Sequence, residues 1–430
     1  MQTNFSPEQL RDPTIYDANE ILRNCVHCGF CIATCPTYLL SGDELDGPRG
    51  RIYLIKEMLE RNQPASITDV KHIDRCLSCF SCMTTCPSGV NYKNLLNYGR
   101  QHISKTFKRT FFDRIFRSTL GIILPQKPIF EFFIKIFRWL KPIFGKVPIP
   151  KIIVFDLVPE AIRIKNKVLT PPRGTQIKEK KFRVGLFTNC VQENLSPTID
   201  AATIRILERH GCEVISTGGC CGALNHQLGQ EKKTFKRMVE NINSWYAVDL
   251  EKELDAIIAN VSGCGTMVKD YGFILRNHSE FSKKAKRISA ITQDISEFLS
   301  KISLKKPVIK PGFKVAYQAP CSLAHGQKVV KEPVLLLEKC GFEVFLPRDQ
   351  HQCCGSAGTY NLLESKIAIS LREKKVSALA ALAPKIVASG NIGCITQLNN
   401  GRGTKIPCPV VHTIELLDWA TGGPFPSSLK

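Results

Sequence analysis

The chain has 430 residues, with 59 Lys and Arg against 38 Asp and Glu and a net charge of +21. This length excludes a single small domain and predicts two to four domains, each able to bury a core of its own. The positive charge predicts an anionic neighbour, whether nucleic acid, acidic lipid headgroups or an acidic protein, and it does not choose among them.

Two copies of the pattern CxxCxxCxxxCP lie in the first hundred residues. Three thiolates within seven residues can converge on three iron atoms of one [4Fe-4S] cluster, and in runs of this kind the fourth cysteine ligates the other cluster. The spacing therefore predicts two clusters with exchanged fourth ligands. The ligands are Cys25, Cys28, Cys31 and Cys86 for cluster 1, and Cys76, Cys79, Cys82 and Cys35 for cluster 2.

Zinc and disulfides are the alternatives for these eight cysteines. Zinc sites usually present two separated CxxC pairs, which differ from this spacing. Disulfides need an oxidising compartment, whereas the first ten residues are polar and lack the apolar core of a secretion signal. Reduced thiols that bind iron in the cytoplasm are therefore favoured.

Other residues inside the two runs have predicted supporting roles. Cysteines already occupy all four ligand positions of the first run, so His27 is expected to have an outer-shell or surface role. Gly29, Ser78 and Ser81 are expected to ease tight turns or to offer hydrogen bonds to cluster sulfur. Helices are predicted at Ile52 to Leu59 and Lys93 to Phe107, so residues 1–104 should form a mostly helical domain around the clusters.

Residues 105–180 are basic and rich in Phe. Between Lys105 and Lys151, eleven Lys or Arg stand against two acidic residues, and no apolar run approaches the roughly 20 residues of a spanning helix. Ile129 to Phe144 predicts an amphipathic helix that either lies in a bilayer interface or packs against protein. Nucleic acid is less favoured, because no recognised binding motif is present. A Pro-rich linker is predicted from Thr170 to Lys181.

From residue 181 onward, short β-like runs alternate with helical stretches, which predicts parallel α/β units. The runs are Phe182 to Phe187, Glu213 to Ser216, Ala256 to Val261, Phe313 to Tyr317, Glu343 to Leu346 and Lys385 to Ala388. The region also repeats internally, which predicts a unit at 181–305 and a second at 306–430.

Each repeat carries four cysteines in the same order, and we expect each set to gather at the carboxyl ends of the strands. The first quartet is Cys190, Cys220, Cys221 and Cys264, and the second quartet is Cys321, Cys353, Cys354 and Cys394. Each quartet either binds a further iron-sulfur cluster or serves assembly and partner docking. Cys212 and Cys340 are predicted core thiols, and Cys408 has no counterpart.

Histidines and glycine-rich motifs add little to this prediction. His226, His325 and His351 lie near the quartets, where they either tune or bind a metal or are ordinary loop and core residues. No GxGxxG follows a strand, because the nearest match, GCGTMV at 263–268, lacks the third glycine. No Walker loop is present in the sequence either. A chain with clusters but no flavin or nucleotide motif is expected to receive its electrons from another chain.

These motifs together resemble the iron-sulfur subunits of bacterial glycolate oxidases. The stretches that carry the resemblance are CVHCGFCIATCPTYLLSGDELDGPRGRIYLIKEMLE, RCLSCFSCMTTCPSGVNYKNLL, SGCGTMVKDYG, CCGSAGTYNL and NIGC. The resemblance implies an α+β multidomain chain, with a helical two-[4Fe-4S] ferredoxin-like domain followed by two α/β cysteine-rich (CCG) units.

The same resemblance implies a function in electron transfer. Two partner subunits with FAD oxidise glycolate to glyoxylate, and electrons then cross the clusters of this chain to a membrane acceptor such as quinone. The chain itself has no catalytic residue and no nucleic-acid partner in this reading. It is expected in the cytoplasm, bound peripherally to the cytoplasmic face of the bacterial inner membrane.

Two alternatives to glycolate oxidation stay open. A related subunit could serve a lactate or glycerol-3-phosphate dehydrogenase, since the substrate is chosen by the partner. In heterodisulfide reductases, CCG motifs that end in CxxC carry an unusual catalytic cluster. Neither Cys264 nor Cys394 begins a CxxC, which disfavours a disulfide reductase.

Overall fold

The computed structural model describes residues 1–144, 181–399 and 405–429, with side chains as far as residue 136 in the first range. Within that first range the chain forms helices and no strand, as the sequence predicts for the N-terminal domain. The helices are α1 (Pro13–Arg23), α2 (Pro36–Ser41), α3 (Pro48–Arg61), α4 (Ile67–Asp74), α5 (Ser81–Thr85), α6 (Tyr92–Thr106), α7 (Phe111–Ile123) and α8 (Lys127–Phe144). The predicted linker lies outside the described residues except for Lys181.

The helical part is built around one apolar core. Its α4 begins with a capping box in which Ser66 and Asp69 satisfy each other's backbone amides. Ile55 of α3 and Leu95 of α6 are fully buried in this core, together with Cys25, Cys76 and Cys82. The two predicted helices, Ile52 to Leu59 and Lys93 to Phe107, are confirmed as parts of α3 and α6.

Residues from 181 onward form two four-stranded parallel sheets. The first contains β1 (Phe182–Phe187), β2 (Cys212–Thr217), β3 (Ala256–Ala259) and β4 (Thr292–Asp294) in the order β2-β1-β3-β4. The second contains β5 (Lys314–Tyr317), β6 (Glu343–Phe345), β7 (Ile386–Ser389) and β8 (Val410–His412) in the order β6-β5-β7-β8. The two orders are equivalent, so the predicted internal repeat is confirmed.

Helices cover both sheets. Those of the first unit are α9 (Gln192–Leu195), α10 (Thr198–Arg209), α11 (Ala223–Gln227), α12 (Glu231–Glu251), α13 (Ser262–Ile274), α14 (Ser282–Ile291) and α15 (Ile295–Lys301). Those of the second are α16 (Glu332–Lys339), α17 (Tyr360–Leu363), α18 (Ser365–Ala380), α19 (Ile392–Leu398) and α20 (Thr413–Ala420). A π-helical turn, Ser322–Gln327, follows β5.

The two α/β units pack together with approximate twofold equivalence. The helix after the first strand of each unit contacts the helix after the last strand of the other, so α10 meets α20 and α16 meets α15. One buried core therefore contains residues of both sheets, including Val184 and Val315. Arg205 and Arg209 of α10 both pair with the buried carboxylate of Asp418, at 2.6 and 2.8 Å.

The helical part rests on the carboxyl edges of both sheets. Its α5 contacts the π-helical turn, and its α2 contacts α18. Lys93 pairs with Asp270 of the first unit at 2.5 Å, and the hydroxyl of Tyr360 in the second unit donates to the carbonyl of Arg75 at 3.0 Å. The second CxxCxxCxxxCP run consequently lies close to the cysteines of the second unit, with Cys79, Cys353 and Cys321 around one apolar cluster.

Helices α7 and α8 continue from the helical part towards the first α/β unit. The amide of Asn225 donates to the carbonyl of Gly121 at 2.9 Å, and Lys127 pairs with Glu193 at 2.5 Å. The predicted helix Ile129 to Phe144 is confirmed within α8. None of the described helices combines the length and the apolar character that crossing a membrane requires.

Candidate iron-sulfur sites

The first cavity in the helical part is lined by cysteines from both CxxCxxCxxxCP runs. Its wall includes Cys25, Cys28 and Cys31 of the first run, and Cys86 and Cys82 of the second. Cys28 is exposed, whereas Cys25 is buried. The structure thus brings the four residues predicted for cluster 1 to one cavity that opens at the surface.

The second cavity lies deeper. Cys35 of the first run meets Cys76, Cys79 and Cys82 of the second in its wall. All four are buried, with at most 9% of each side chain exposed. The four residues predicted for cluster 2 are therefore together in a closed environment.

Backbone geometry explains how each CxxCxxC loop turns its thiols inward. Residues on both sides of the middle cysteine are left-handed in both loops: His27 and Gly29 have φ values of 55° and 83°, and Ser78 and Phe80 have 52° and 62°. Such values are uncommon for residues other than glycine and persist where the surroundings impose them. The predicted turn role of Gly29 and Ser78 is confirmed, and Phe80 adopts the same conformation without any sequence signal.

The spacing of the thiols fits a multi-iron cluster better than a single ion. Around one zinc, bonds of about 2.3 Å place sulfur atoms roughly 3.8 Å apart. Among the described residues, only Asp43, Asp46 and His72 form a trio of metal-ligating side chains with all ligand atoms within 4.8 Å of one another. No three described cysteines of either cavity have all their sulfur atoms within 4.8 Å of one another, and ligands of separate iron atoms in one cluster have no need of such close spacing.

A buried arginine lies beside the second cavity. Arg51 of α3 is 1% exposed, and its Nη1 donates to the sulfur of Cys35 at 3.9 Å. The charges of Arg51 and Arg100 lower the pKa of Cys76 against the opposing effect of burial. The hydroxyl of Tyr92 also donates to the sulfur of Cys76, at 3.5 Å. These groups favour the thiolate form that iron requires.

A polar network holds Arg51 in place. Its Nε donates to the carbonyl of His72 at 2.7 Å, while Asp46 accepts from His72 at 2.8 Å and from Arg75 at 2.9 Å. Burial raises the pKa of Asp46, but the hydrogen bond from His72 and the charges of Arg75 and Arg51 lower it overall. The trio of Asp43, Asp46 and His72 is consequently part of an ion-pair network with two arginines.

Burial has the opposite effect on the pKa of three other thiols. Burial raises the pKa of Cys31 to about 11 and raises those of Cys79 and Cys82 well above the ordinary value. The hydroxyl of Ser81 is buried and has no hydrogen-bond partner among the described residues. It lies next to Cys82, where it could donate to a cluster sulfur, which fits the role predicted for it.

The first quartet gathers at the carboxyl ends of β1, β2 and β3, as predicted. Hydrogen bonds from Cys190 and Cys221 lower the pKa of Cys220, while the pKa of Cys221 is raised by its bonds with Cys220 and Cys264. Arg237 adds a positive charge near Cys220. The apolar contacts of Cys221 are with residues of its own unit, among them Trp245.

The second quartet has the equivalent position after β5, β6 and β7. The sulfurs of Cys321 and Cys353 are 3.8 Å apart, and hydrogen bonds from Cys353 and Cys394 lower the pKa of Cys354. Lys375 lies 3% exposed beside this group. Burial lowers the pKa of Lys375, which the neighbouring thiolates partly oppose.

Unlike the first quartet, the second quartet adjoins the cavity of cluster 2. Cys353 shares one buried apolar cluster with Cys79 and Leu77 of the helical part, and Cys321 packs against the same cluster. The charge of Cys321 contributes to the raised pKa of Cys79. The sequence does not distinguish the two quartets, because contacts between segments that are far apart in the chain are not visible in the pattern of either repeat.

His226 and His325 are partly buried, and the remaining cysteines lie in apolar surroundings. His325 contacts Thr84 at 2.9 Å and the carbonyl of His351 at 3.3 Å, so it links the second unit to α5. Burial, with the charges of Arg100 and Lys93, lowers the pKa of His226 to about 4. The Nε2 of His27 is buried without a described partner. Cys212 and Cys340 are confirmed as thiols of the shared core, and Cys408 packs at the edge of another apolar cluster.

Comparison with known proteins matches both halves of this arrangement. Residues 21–90 match the family described as "4Fe-4S dicluster domain", and residues 184–269 and 315–399 match the "Cysteine-rich domain". The "Glycolate oxidase iron-sulfur subunit" of Escherichia coli (strain K12) is 39% identical over 98% of this chain and 99% of its own length. The chain belongs to the glycolate oxidase iron-sulfur subunit family.

Other relatives place the chain within this family. The "Probable glycolate oxidase iron-sulfur subunit" of Bacillus subtilis (strain 168) is 29% identical over 94% of this chain and 95% of its own length. "Lactate utilization protein A" of Bacillus licheniformis is 28% identical over 55% of this chain, although 99% of that shorter protein is covered. Full-length similarity is therefore to the glycolate oxidase subunits.

Proposed function

We propose that this chain is the electron-transfer subunit of a complex that oxidises glycolate to glyoxylate. FAD-binding partner subunits oxidise the substrate and release electrons to this chain, which carries them through two [4Fe-4S] clusters to a membrane acceptor such as quinone. The clusters accept single electrons and so separate the electron pair of a reduced flavin into two steps. The substrate carbon is not expected to contact this chain.

One observation carries the proposal more than any other: the wall of each cavity contains three cysteines of one run together with the fourth cysteine of the other run, and Cys82 borders both cavities. This arrangement supports ligation of cluster 1 by Cys25, Cys28, Cys31 and Cys86, and of cluster 2 by Cys76, Cys79, Cys82 and Cys35. Exchanged ligands couple the two loops, so that folding of either loop helps to form both sites.

The protein surroundings give the two sites different tasks. The thiol of Cys28 is exposed at the first cavity, which suits exchange of electrons with a partner. The second cavity is enclosed by its own buried thiols and by the apolar cluster that includes Cys353. Water exclusion there strengthens the effect of Arg51 on a charged site.

A further cluster at the second quartet is also part of the proposal. Its support is the contact with Cys79, the lowered pKa of Cys354 and the nearby charge of Lys375. The first quartet has comparable thiol contacts but no described contact with the cluster 2 cysteines, and we assign it to assembly.

The finer assignments rest on the family and on similarity over the full length. Glycolate is favoured over lactate because the lactate-utilization relative corresponds to only 55% of this chain. Peripheral attachment to the cytoplasmic face of the inner membrane agrees with the basic segment after α6. We also retain the division into segments 1–104, 105–180, 181–305 and 306–430.

Paired cysteine variants test the exchanged ligation. After anaerobic purification, the wild-type helical domain should account for about eight irons in two clusters. Cys35→Ala combined with Cys79→Ala should damage only cluster 2, because both residues serve the same site. Cys35→Ala combined with Cys28→Ala should damage both clusters. Iron and sulfide analysis with EPR of the dithionite-reduced proteins measures the difference.

Cys408→Ala is the matched control, since this thiol lies outside both cavities. Its iron content and EPR signals should equal those of the wild type. Ligation without exchange predicts the opposite pattern for the two double variants. A single surviving cluster in the Cys35/Cys28 pair, with none in the Cys35/Cys79 pair, would therefore disprove the assignment.

A further inference from the structure

Helix α7 turns its apolar face away from the protein. Phe111 and Phe112 are 61% and 82% exposed, and Ile115, Phe116 and Ile122 are 46%, 40% and 41% exposed. At 100° per residue, these five side chains occupy one continuous face of the helix. The opposite face, with Leu120 and Gly121, is buried against the first α/β unit. This orientation is the reverse of that expected for a surface helix in water.

A basic cavity lies beside this exposed face. It has a volume of about 550 Å³ and is bounded by α6, α7 and the turn between α11 and α12. Five cationic side chains line it, with one carboxylate, Asp74. The cationic residues are Arg100, Lys108, Arg109, Arg114 and Arg117.

Not all of these cations are neutralised by the protein. Arg109 and Arg117 pair with Asp74 at 2.7 and 2.8 Å, and both also pair with Asp113. Lys108 and Arg114 are exposed and have no carboxylate partner among the described residues. Positive charge therefore remains at the outer edge of the cavity, next to the exposed phenyl rings.

We propose that this surface docks on an anionic phospholipid bilayer, with a lipid headgroup in the basic cavity and the phenyl rings of α7 among the first acyl carbons. Interfacial helices combine an apolar face with cations that reach the headgroups. An acidic protein would satisfy the cations, but a continuous apolar face of three Phe and two Ile favours lipid. Phe132 of α8, 60% exposed, extends the same apolar character.

This docking surface rests on the proposed function and assigns its membrane attachment to one helix, α7. The sequence left Ile129 to Phe144 as a helix that either lies in a bilayer interface or packs against protein, and Ile134 in that helix is 5% exposed. The structure instead favours α7 as the principal inserted element. Loss of cluster chemistry would leave this surface intact, so the two proposals fail independently.

Vesicle flotation of the full chain tests the docking site. The protein should float with vesicles of phosphatidylcholine containing phosphatidylglycerol and should remain unbound with phosphatidylcholine alone. Combined Phe111→Ser and Phe112→Ser, or combined Lys108→Glu and Arg114→Glu, should each lower the bound fraction by roughly tenfold or more. Leu250→Ser and Lys283→Glu change exposed residues of the first α/β unit and should leave binding unchanged.

Three further outcomes are informative. Inorganic phosphate at millimolar concentration should not release the protein; if it does, the cavity takes a free anion and not a lipid. Equal binding to neutral vesicles, or unaltered binding by both double variants, would overturn the proposal. Iron content and the EPR spectrum of each variant should match the wild type, which separates lost docking from lost folding.

Discussion

Arg51 shows how a single buried charge can set the properties of a site that it does not ligate. The guanidinium donates to the sulfur of Cys35 and is held by His72, Thr37 and Asp46. Burial opposes its charge, but Cys76, Tyr92, Cys35 and Asp46 raise its pKa overall. A permanent positive charge at this place would stabilise the more negative, reduced state of the cluster proposed for this cavity.

Replacement of Arg51 should therefore change the reduction potential of one cluster. Arg51→Met removes the charge while keeping a long side chain, and the potential of cluster 2 should become more negative by on the order of 100 mV. Arg51→Lys should restore most of the difference. Redox titration followed by EPR measures the potential of each cluster.

Arg61→Met provides the matched control on the same helix. The side chain of Arg61 is 68% exposed and pairs only with Glu57 among the described residues, so neither potential should move. An unchanged potential in Arg51→Met with full iron content would show that Arg51 has only a structural role.

The sequence predicts the cluster cysteines but not the charged residue beside them. The eight cysteines follow from spacing alone, because three ligands of one cluster lie within one short loop. Arg51 comes from another helix, and its role depends on tertiary packing. A signal was present: Arg51, Ile55 and Leu59 are four residues apart, which places the arginine on the buried face of α3.

Among the secondary-structure elements, the two cysteine quartets have the same local framework but different neighbours. Each arises from the loops after three parallel strands, where the carboxyl ends of the strands converge. The second quartet is joined to the helical domain through His325 on the π-helical turn and Tyr360 on α17. In the first quartet, Cys221 packs within its own unit, whereas Cys264 packs against the core shared by both units, and neither belongs to the apolar cluster that contains Cys79.

This difference predicts unequal effects of equivalent cysteine variants. If the second quartet binds a further cluster, the wild type should contain about twelve irons. Cys353→Ala should lower this to about eight, and Cys220→Ala should leave it at about twelve. Iron and sulfide counts on anaerobically purified protein provide the measurement. About eight irons in the wild type, or equal losses in both variants, would contradict the assignment.

Sequence periodicity predicted six of the eight strands and missed β4 and β8. Both are three residues long, lie at the edge of a sheet and run directly into a helix, α15 after β4 and α20 after β8. A run of three residues that continues directly into a helix gives no separate strand signal, and these strands exist because β3 and β7 offer parallel partners. The sequence also does not predict that the apolar face of α7 is exposed. Periodicity predicts that a helix has an apolar face, but it does not say whether that face is buried or points to solvent.

At the scale of the whole molecule, the α/β units cover one side of the helical domain and leave the other side open. The cavity proposed for cluster 2 lies on the covered side, beside the second quartet. The cavity of cluster 1 lies on the open side, where Val26 and Phe30 flank Cys28 and are 67% and 63% exposed. Exposed apolar residues around a redox site are typical of a protein-docking surface.

We therefore expect the flavoprotein partner to deliver electrons at the first CxxCxxC loop. Combined Val26→Ser and Phe30→Ser should slow reduction of the clusters by the reduced flavoprotein subunits by roughly tenfold, because docking loses two apolar contacts. Reduction by dithionite needs no docking surface and should keep its rate. Stopped-flow absorbance of the clusters measures both reactions.

Ile67→Ser is the matched control, since Ile67 is 77% exposed in the same domain but lies at the start of α4, outside the wall of the first cavity. It should leave both rates unchanged. Equal slowing of dithionite and flavoprotein reduction in the Val26/Phe30 variant would indicate damage to cluster 1 itself. An unchanged flavoprotein rate would mean that electrons arrive elsewhere, and the assignment of the first CxxCxxC loop as the docking surface would be wrong.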